Sequence, residues 1–386
     1  MTARTALLTT EGHPDILVLR EGGRAEPFNF TVAYPEPYIP RALTYEVPER
    51  VRADGGIFKA LDEAAIVAIC GKLRAAKVEA VAVALLWSVA NDAHERRVRE
   101  ILAEHLPDVP VTLSSELNPT IREFRRASSA AIDASLKPLM GSYLGSLSQR
   151  LRDAGFVGRL LVLTSQGGMV DADEIAMSPI RAINSGPSLA PIAGKYFGEL
   201  AKSGADIVVA DTGGTTYDVS LVRGGRIPLT RDAWIGQPFR GHLTGFPSVD
   251  VQSVGAGGGS IAHVDKGGLL RVGPQSAGST PGPVCYGRGG TQPTLTDACV
   301  ALGYVDPDYF LGGKMWLDKE AARAAIKDKV ADPLGMSIEE AAAAIVTLAT
   351  ENMASAIADI TVNQGIDPRN SVLIGGGGAA GLNSIF

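Results

Sequence analysis

The chain reads as an α/β fold built in two parts. Three observations predict it. Apolar strand-like runs alternate with segments of helical period. Several of those strands end in glycine clusters. The strand–turn pattern also starts afresh near Ala205, which puts a boundary between residues 180 and 205.

In the first part, residues 1–185, the spacing predicts a helix over 61–77, a buried strand over 79–87 and a second helix over 92–105. Residues 111–117 read as a short strand and turn. An alanine- and leucine-rich stretch over 121–154 predicts one or two helices, with Pro138 as a kink or break. Arg122, Arg125 and Arg126 at its start read as a solvated face or ion pairs. Residues 160–168 form a strand ending in a glycine turn, and 184–191 a loop entering a helix, with Pro187 in its first turn.

In the second part, residues 186–386, the run over 205–229 reads as strand, glycine turn, strand, Gly-Gly turn, strand. A glycine-rich insertion follows to about Gly290. Helices are expected over 321–330 and 337–364, and 371–378 is a strand entering another glycine turn. The chain opens on strand-like sequence and stops at Phe386 where a helix is expected to continue, so both ends read as cut.

Charge and cysteines narrow the classes. Lys and Arg total 36 against 42 Asp and Glu, a net of −6, and no long basic run occurs; a nucleic-acid surface is therefore not expected. The N-terminus lacks an apolar signal core, and no apolar run reaches membrane-spanning length. Cys70, Cys285 and Cys299 lack CxxC spacing, which fits a reducing, cytoplasmic setting without disulfides.

The sharpest chemical signal is Asp211-Thr-Gly-Gly-Thr-Thr-Tyr-Asp218. An apolar strand delivers Asp211 to a turn where Gly213 and Gly214 let backbone N–H groups approach an anion, and Thr215 and Thr216 add hydroxyl donors. Asp211 and Asp218, at the two ends of the turn, are candidates to hold Mg²⁺ through water. The motif is not a Walker A loop, because no GxxxxGK[ST] occurs and the turn leads to a strand. A plain β-hairpin remains the alternative reading of the spacing. Gly375, Gly376, Gly377 and Gly378 close a second strand and suit either a nucleotide's phosphate or ribose or a turn that serves packing only. Gly257 and Gly258, in a glycine loop after a strand carrying Asp250, admit either a ligand or tight loop packing. His242 is a candidate acid, base or ligand, more often structural in such a setting. His263 and Asp265 lack further ligands at zinc spacing. Cys285 reads as a structural thiol, and Asp297 as a helix cap.

These residues resemble the hydantoinase A/oxoprolinase family, most densely in DTGGTTYDVSL, the run VGPQSAGSTPGPVCYGRGG, and TLTDA. The resemblance implies an actin-like ATPase fold, with two ribonuclease-H-like lobes around a nucleotide cleft. DTGGTTYD would be its second phosphate loop and GGGGAAG its adenosine-side motif. It implies ATP and Mg²⁺, catalytic roles for Asp211, Asp218 and Asp250, and opening of a cyclic amide such as a hydantoin or 5-oxoproline. A hydantoinase B-type second subunit in a hetero-oligomer is expected. Family members carry an earlier DxGGTxxD-type loop, and none precedes Asp211 here. Many amide-opening members have histidine at the position of Gln252, which leaves room for the ketone-carboxylase class. A non-catalytic binding fragment is the remaining alternative.

Overall fold

The computed structural model describes residues 2–22, 26, 28–201 and 204–382. The chain divides into two compact units, Met1–Ser185 with Leu229–Ser248, and Gly186–Pro228 with Val249–Phe386. The return of Leu229–Ser248 to the first unit differs from the uninterrupted second part expected from sequence. Nothing in the strand period marks a segment whose packing partner lies far back in the chain.

The first unit holds a four-stranded sheet made of β1 (Thr5–Thr10), β2 (Thr44–Val47), β3 (Ala80–Ala84) and β4 (Val111–Leu113). Their order is β2-β1-β3-β4 and every pairing is parallel, with Leu8 beside Val83. The Ala-Val-Ala-Val-Ala run of β3 is buried along its whole length, as expected for a strand covered by helices. Those helices are α1 (Glu63–Ala75), α2 (Ala93–His105) and α3 (Glu123–Asp153). Ile66, Leu73, Val98, Leu102, Phe124 and Ala130 join the strands in one apolar core.

Of the one or two helices expected, the chain forms one: Pro138 does not break α3, which runs from Glu123 to Asp153. Its N-terminal half is almost wholly buried, and that packing outweighs the one backbone hydrogen bond that proline removes. Arg126 is not on a solvated face: it is 1% exposed. Its guanidinium donates to the carbonyls of Thr120 and Leu85, each at 2.8 Å. Beside it the buried Glu95 accepts from Leu85 N (2.9 Å), Ser114 Oγ (2.7 Å) and Ser115 Oγ (2.6 Å). The two charged groups thereby tie together the backbone just past β3 and β4.

The second unit begins with α4 (Ala190–Leu200), then β5 (Ile207–Thr212) and β6 (Tyr217–Val222). The Gly224–Gly225 turn does not lead to a third hairpin strand in this sheet. The place beside β6 is taken by β7 (Val251–Val254), after the excursion through the first unit. A hairpin of β8 (Ser260–Val264) and β9 (Leu270–Ser276) follows. Then come α5 (Leu295–Leu302), α6 (Lys319–Ile326), α7 (Ile338–Asn363) and β10 (Val372–Gly376). The sheet order is β7-β6-β5-β10, antiparallel except for the parallel pairing of β10 with β5. Helix α7 starts at a capping box, Ser337 with Glu340. By length and composition it could cross a membrane. Its Ala342, Ile345, Ala349, Met353, Ala356 and Ile360, at helical spacing, are instead buried in the core of this unit.

Replacing Arg126 by methionine leaves the Thr120 and Leu85 carbonyls and the Glu95 carboxylate without their cationic neighbour. A loss of about 3 kcal/mol is expected in urea unfolding. A wild-type midpoint and slope would show that the guanidinium carries no such burden.

Candidate functional site

The site is built on the hairpin β5–β6. Ile207 to Ala210, with Val219, Leu221 and Val222, are buried apolar residues that hold the hairpin in the core. The strand register sets Asp211 directly opposite Asp218. Residues opposed across an antiparallel pair project from the same face, so the two carboxylates stand side by side. Between them the four-residue turn Gly213–Thr216 is closed by Gly213 N–H donating to Thr216 O at 2.9 Å.

The electrostatics of the pair are unfavourable as they stand. Burial pushes the Asp211 carboxyl above its ordinary range, and the neighbouring negative charge of Asp218 adds to this. Thr216 Oγ1 donates to Asp218 Oδ2 at 3.2 Å. The other oxygen, Asp218 Oδ1, is buried without a hydrogen-bond partner in the protein. A buried unpaired carboxylate oxygen facing a like charge fits a site for a divalent cation.

Two glycine segments pack onto this turn. Strand β10 lies parallel to β5 with Gly375 beside Ala210 and Gly376 beside Asp211. Gly377 follows with φ +88°, and a Cβ on it would sit 2.3 Å from Asp211 Oδ1. Only glycine fits a position that is both left-handed and pressed against the carboxylate. Ala379 N–H, just beyond Gly378, donates to Thr212 O at 3.0 Å. From another direction, the glycine loop between β7 and β8 reaches the tip. Gly258 N–H donates to Gly213 O (3.1 Å) and Gly259 N–H to Gly214 O (2.6 Å). A Cβ at Gly257 would lie 2.7 Å from Gly213 O.

The glycines differ in surroundings. Gly257 packs against the backbone of the turn, and Gly258 against the Thr296 side chain. Gly214 differs: an added Cβ would meet nothing within 4 Å, and its φ is not left-handed. The fold does not require glycine there, which suits a backbone approached by a ligand. Gly214 and Thr215 are exposed at the turn's tip.

Asp250 is not brought to the carboxylate pair. It precedes β7, where Ser253 is the residue opposite Asp218, so it sits three residues, roughly 10 Å, away along the strand. Its Oδ2 accepts from Gln364 Nε2 at 3.2 Å. The remaining candidates have structural surroundings. His242 packs edge-on against Tyr38, with ring centroids 5.1 Å apart, in the first unit. Asp265 accepts from Gly267 N, Leu269 N and Arg271 Nε within its own turn. Cys285 is fully buried, and desolvation followed by the charge of Asp297 drives its thiol far upward, away from nucleophilic use. No cluster of three or more potential metal ligands occurs among the described residues.

Asp297 caps a helix, and does more. It completes a capping box with Thr294 and also accepts from Val284 N (3.1 Å) and Cys285 N (2.7 Å). Thr296 was not singled out by sequence, although Thr294-Leu-Thr-Asp297 before an apolar run is a capping-box signature. A cavity of about 350 Å³ in the first unit, lined by Arg20, Val32, Tyr34 and Phe239 among others, competes on size alone. Its Arg20 is engaged by the carbonyls of Phe239 and Gly241, and its Arg240 lies 3.6 Å from Glu26. Among its described residues there is no carboxylate pair under an open glycine turn.

Comparison with known proteins identifies the family. A hydantoinase/oxoprolinase family model matches residues 126–385, and a model of that family's N-terminal region matches residues 1–106. Caprolactamase subunit alpha of Pseudomonas jessenii is 41% identical over 98% of this chain and 54% of its own length. Acetophenone carboxylase gamma subunit of Aromatoleum aromaticum is 40% identical over 97% of this chain and 52% of its own. The crystal structure of ATP-dependent caprolactamase from Pseudomonas jessenii superposes with a TM-score of 0.86 at 40% identity, covering 100% of this chain and 55% of that one. The chain thus spans about half the length of the curated relatives it matches. Its mixed α/β architecture is consistent with the actin-like ATPase fold.

An acid whose folded-state pKa lies above its unfolded value weakens the fold as pH rises through that interval, because the native state holds the proton more tightly. Metal-free protein should therefore lose stability from Asp211 as pH climbs above the ordinary aspartate range. Asp218→Asn should raise the metal-free melting temperature at neutral pH and flatten that dependence, while diminishing the extra stabilisation by Mg·ATP. Thermal-shift titration across pH reads both. An unchanged melting temperature with a full Mg·ATP shift would remove both roles.

Proposed function

The chain belongs to the hydantoinase/oxoprolinase family, and from that premise we propose that it supplies the ATP-binding part of an enzyme that opens a cyclic amide at the expense of ATP. The observation that carries the reading is the Asp211–Asp218 pair beneath an open glycine turn, with the Gly377 segment pressed against one carboxylate. The turn's backbone N–H groups and the Thr215 and Thr216 hydroxyls would bind phosphate oxygens. The orphaned Asp218 Oδ1 and its opposed neighbour fit Mg²⁺, which takes one or two carboxylates, water and substrate phosphates. When bound, that ion would neutralise charge on the transferring phosphoryl group.

An amide nitrogen is a poor leaving group and its carbonyl a weak electrophile. In the proposed reaction the amide oxygen attacks the γ-phosphorus, the bond to the bridging oxygen breaks, and ADP departs. Water then adds to the activated carbon, and the ring nitrogen leaves as the amine. A second water frees phosphate from the resulting acyl phosphate. The residues of this chain contribute positioning and charge balance to the first step, where catalysis depends most on both. The subunit names of the relatives support assembly with a second protein, and we infer a hydantoinase B-type partner for the later steps. The three cysteines are free and buried, which supports a reducing compartment.

A second reading rests on one observation: the ketone-carboxylase relative is nearly as similar, at 40% identity, as the amide-opening one, at 41%. In that case ATP would activate an enolate oxygen or bicarbonate.

Calorimetric titration of the 386-residue chain with Mg·ATP is expected to show binding that Asp211→Ala weakens at least about tenfold without loss of fold. Unchanged binding in the variant would refute the site. With the partner present, ATP turnover stimulated by lactams or hydantoins without bicarbonate supports amide opening. Turnover that requires both a ketone and bicarbonate transfers the assignment to the carboxylase class.

A further inference from the structure

We infer that Thr296 is a positioning residue for the phosphate-binding turn, acting through the glycine loop and not by touching nucleotide; this rests on the reading of Gly213–Thr216 as a phosphate turn. The turn is exposed at its tip, and its shape is held from behind by two backbone bonds, Gly258 N–H to Gly213 O and Gly259 N–H to Gly214 O. Those bonds orient the peptide planes of the turn, and so its N–H groups. The glycine loop that supplies them is short of side chains of its own, because a Cβ at Gly257 or Gly259 would collide with the turn. A segment so rich in glycine loses much conformational freedom on ordering and needs restraint from elsewhere.

Thr296 supplies that restraint. Its backbone N–H and its Oγ1 both donate to Gly258 O, each at 2.8 Å. Both donors converge on the carbonyl of the Gly258–Gly259 peptide, whose own N–H is the one that holds Gly214 O. A Cβ on Gly258 would come 3.0 Å from Thr296 Oγ1, so the hydroxyl also fills the space beside the loop. Thr296 itself is immobilised: it is buried, in the first turn of α5, between Thr294 and Asp297 of the capping box. That box further anchors the backbone of Val284 and Cys285. Ala277 N–H donates to Gly259 O at 2.9 Å and steadies the other side of the loop. The line of contact runs from helix start to glycine loop to phosphate turn, each link a hydrogen bond of ordinary length.

The hydroxyl is separable from the rest. Thr296→Val keeps the volume and the backbone N–H bond and removes only the Oγ1 donor. Thr296→Ser keeps the donor and removes a methyl. Loss of one neutral hydrogen bond that shapes the site should weaken Mg·ATP binding roughly 3- to 10-fold in the valine variant. The serine variant should stay within about twofold of wild type. Calorimetry on the full chain reads the three dissociation constants, with circular dichroism confirming that each protein is folded at the titration temperature. Equal affinities for wild type and Thr296→Val would overturn the positioning role while leaving nucleotide binding intact. A serine variant as weak as the valine one would assign the effect to packing and overturn it too. Absence of Mg·ATP binding in the wild type would bring down the phosphate reading itself, and this role with it.

Discussion

Two carboxylates held face to face are the constraint around which the second unit is organised. Asp211 and Asp218 are opposed by strand register, and that register is enforced by the buried Val208, Val209, Val219 and Leu221 on the same strands. These residues bury both faces of the hairpin, and that packing holds the like charges side by side. Burial first, and the charge of Asp218 second, hold the Asp211 carboxyl above its ordinary range, while Asp218 Oδ1 has no partner in the protein. Such an arrangement is sensible where a cation and phosphates complete the site.

The glycines follow from that arrangement. Three backbone segments meet at the hairpin tip, and side chains would keep them apart. Gly377 lies against the Asp211 carboxylate, and Gly257 lies against the Gly213 carbonyl. The glycine abundance of this region therefore reflects backbone-to-backbone packing as much as ligand access. Gly214 is where access is the better account, since neither steric contact nor a left-handed φ calls for glycine there. Side chains brace the glycine loop, with Thr296 Oγ1 donating to Gly258 O and Ser260 Oγ accepting from Gly257 N.

The first unit solves a different problem. Its parallel sheet ends in polar groups that are buried and must be satisfied. Glu95 and Arg126 do this through the backbone and hydroxyls of residues that follow β3 and β4. In the sequence, Arg126 sits among other arginines at a helix start and looks like a surface charge. Its burial depends on which carbonyls the strand ends present to it, and no local pattern encodes that.

The sequence by itself determined the long helices, the buried strand β3, the two-part α/β character and the Asp211–Asp218 turn. All of these depend on periodicity and turn chemistry within a few residues. It also exposed the second glycine strand about 160 residues later, because a glycine cluster at a strand's end is a local signal. Only the tertiary structure decided that Gly376 lies beside Asp211, and that Asp250 stands off along β7. It alone carried Leu229–Ser248 back to the first unit and buried the Thr296 hydroxyl against Gly258. The reason is the same in each case: contacts between residues distant in the chain are fixed by the packing of whole elements, which no short window of sequence contains.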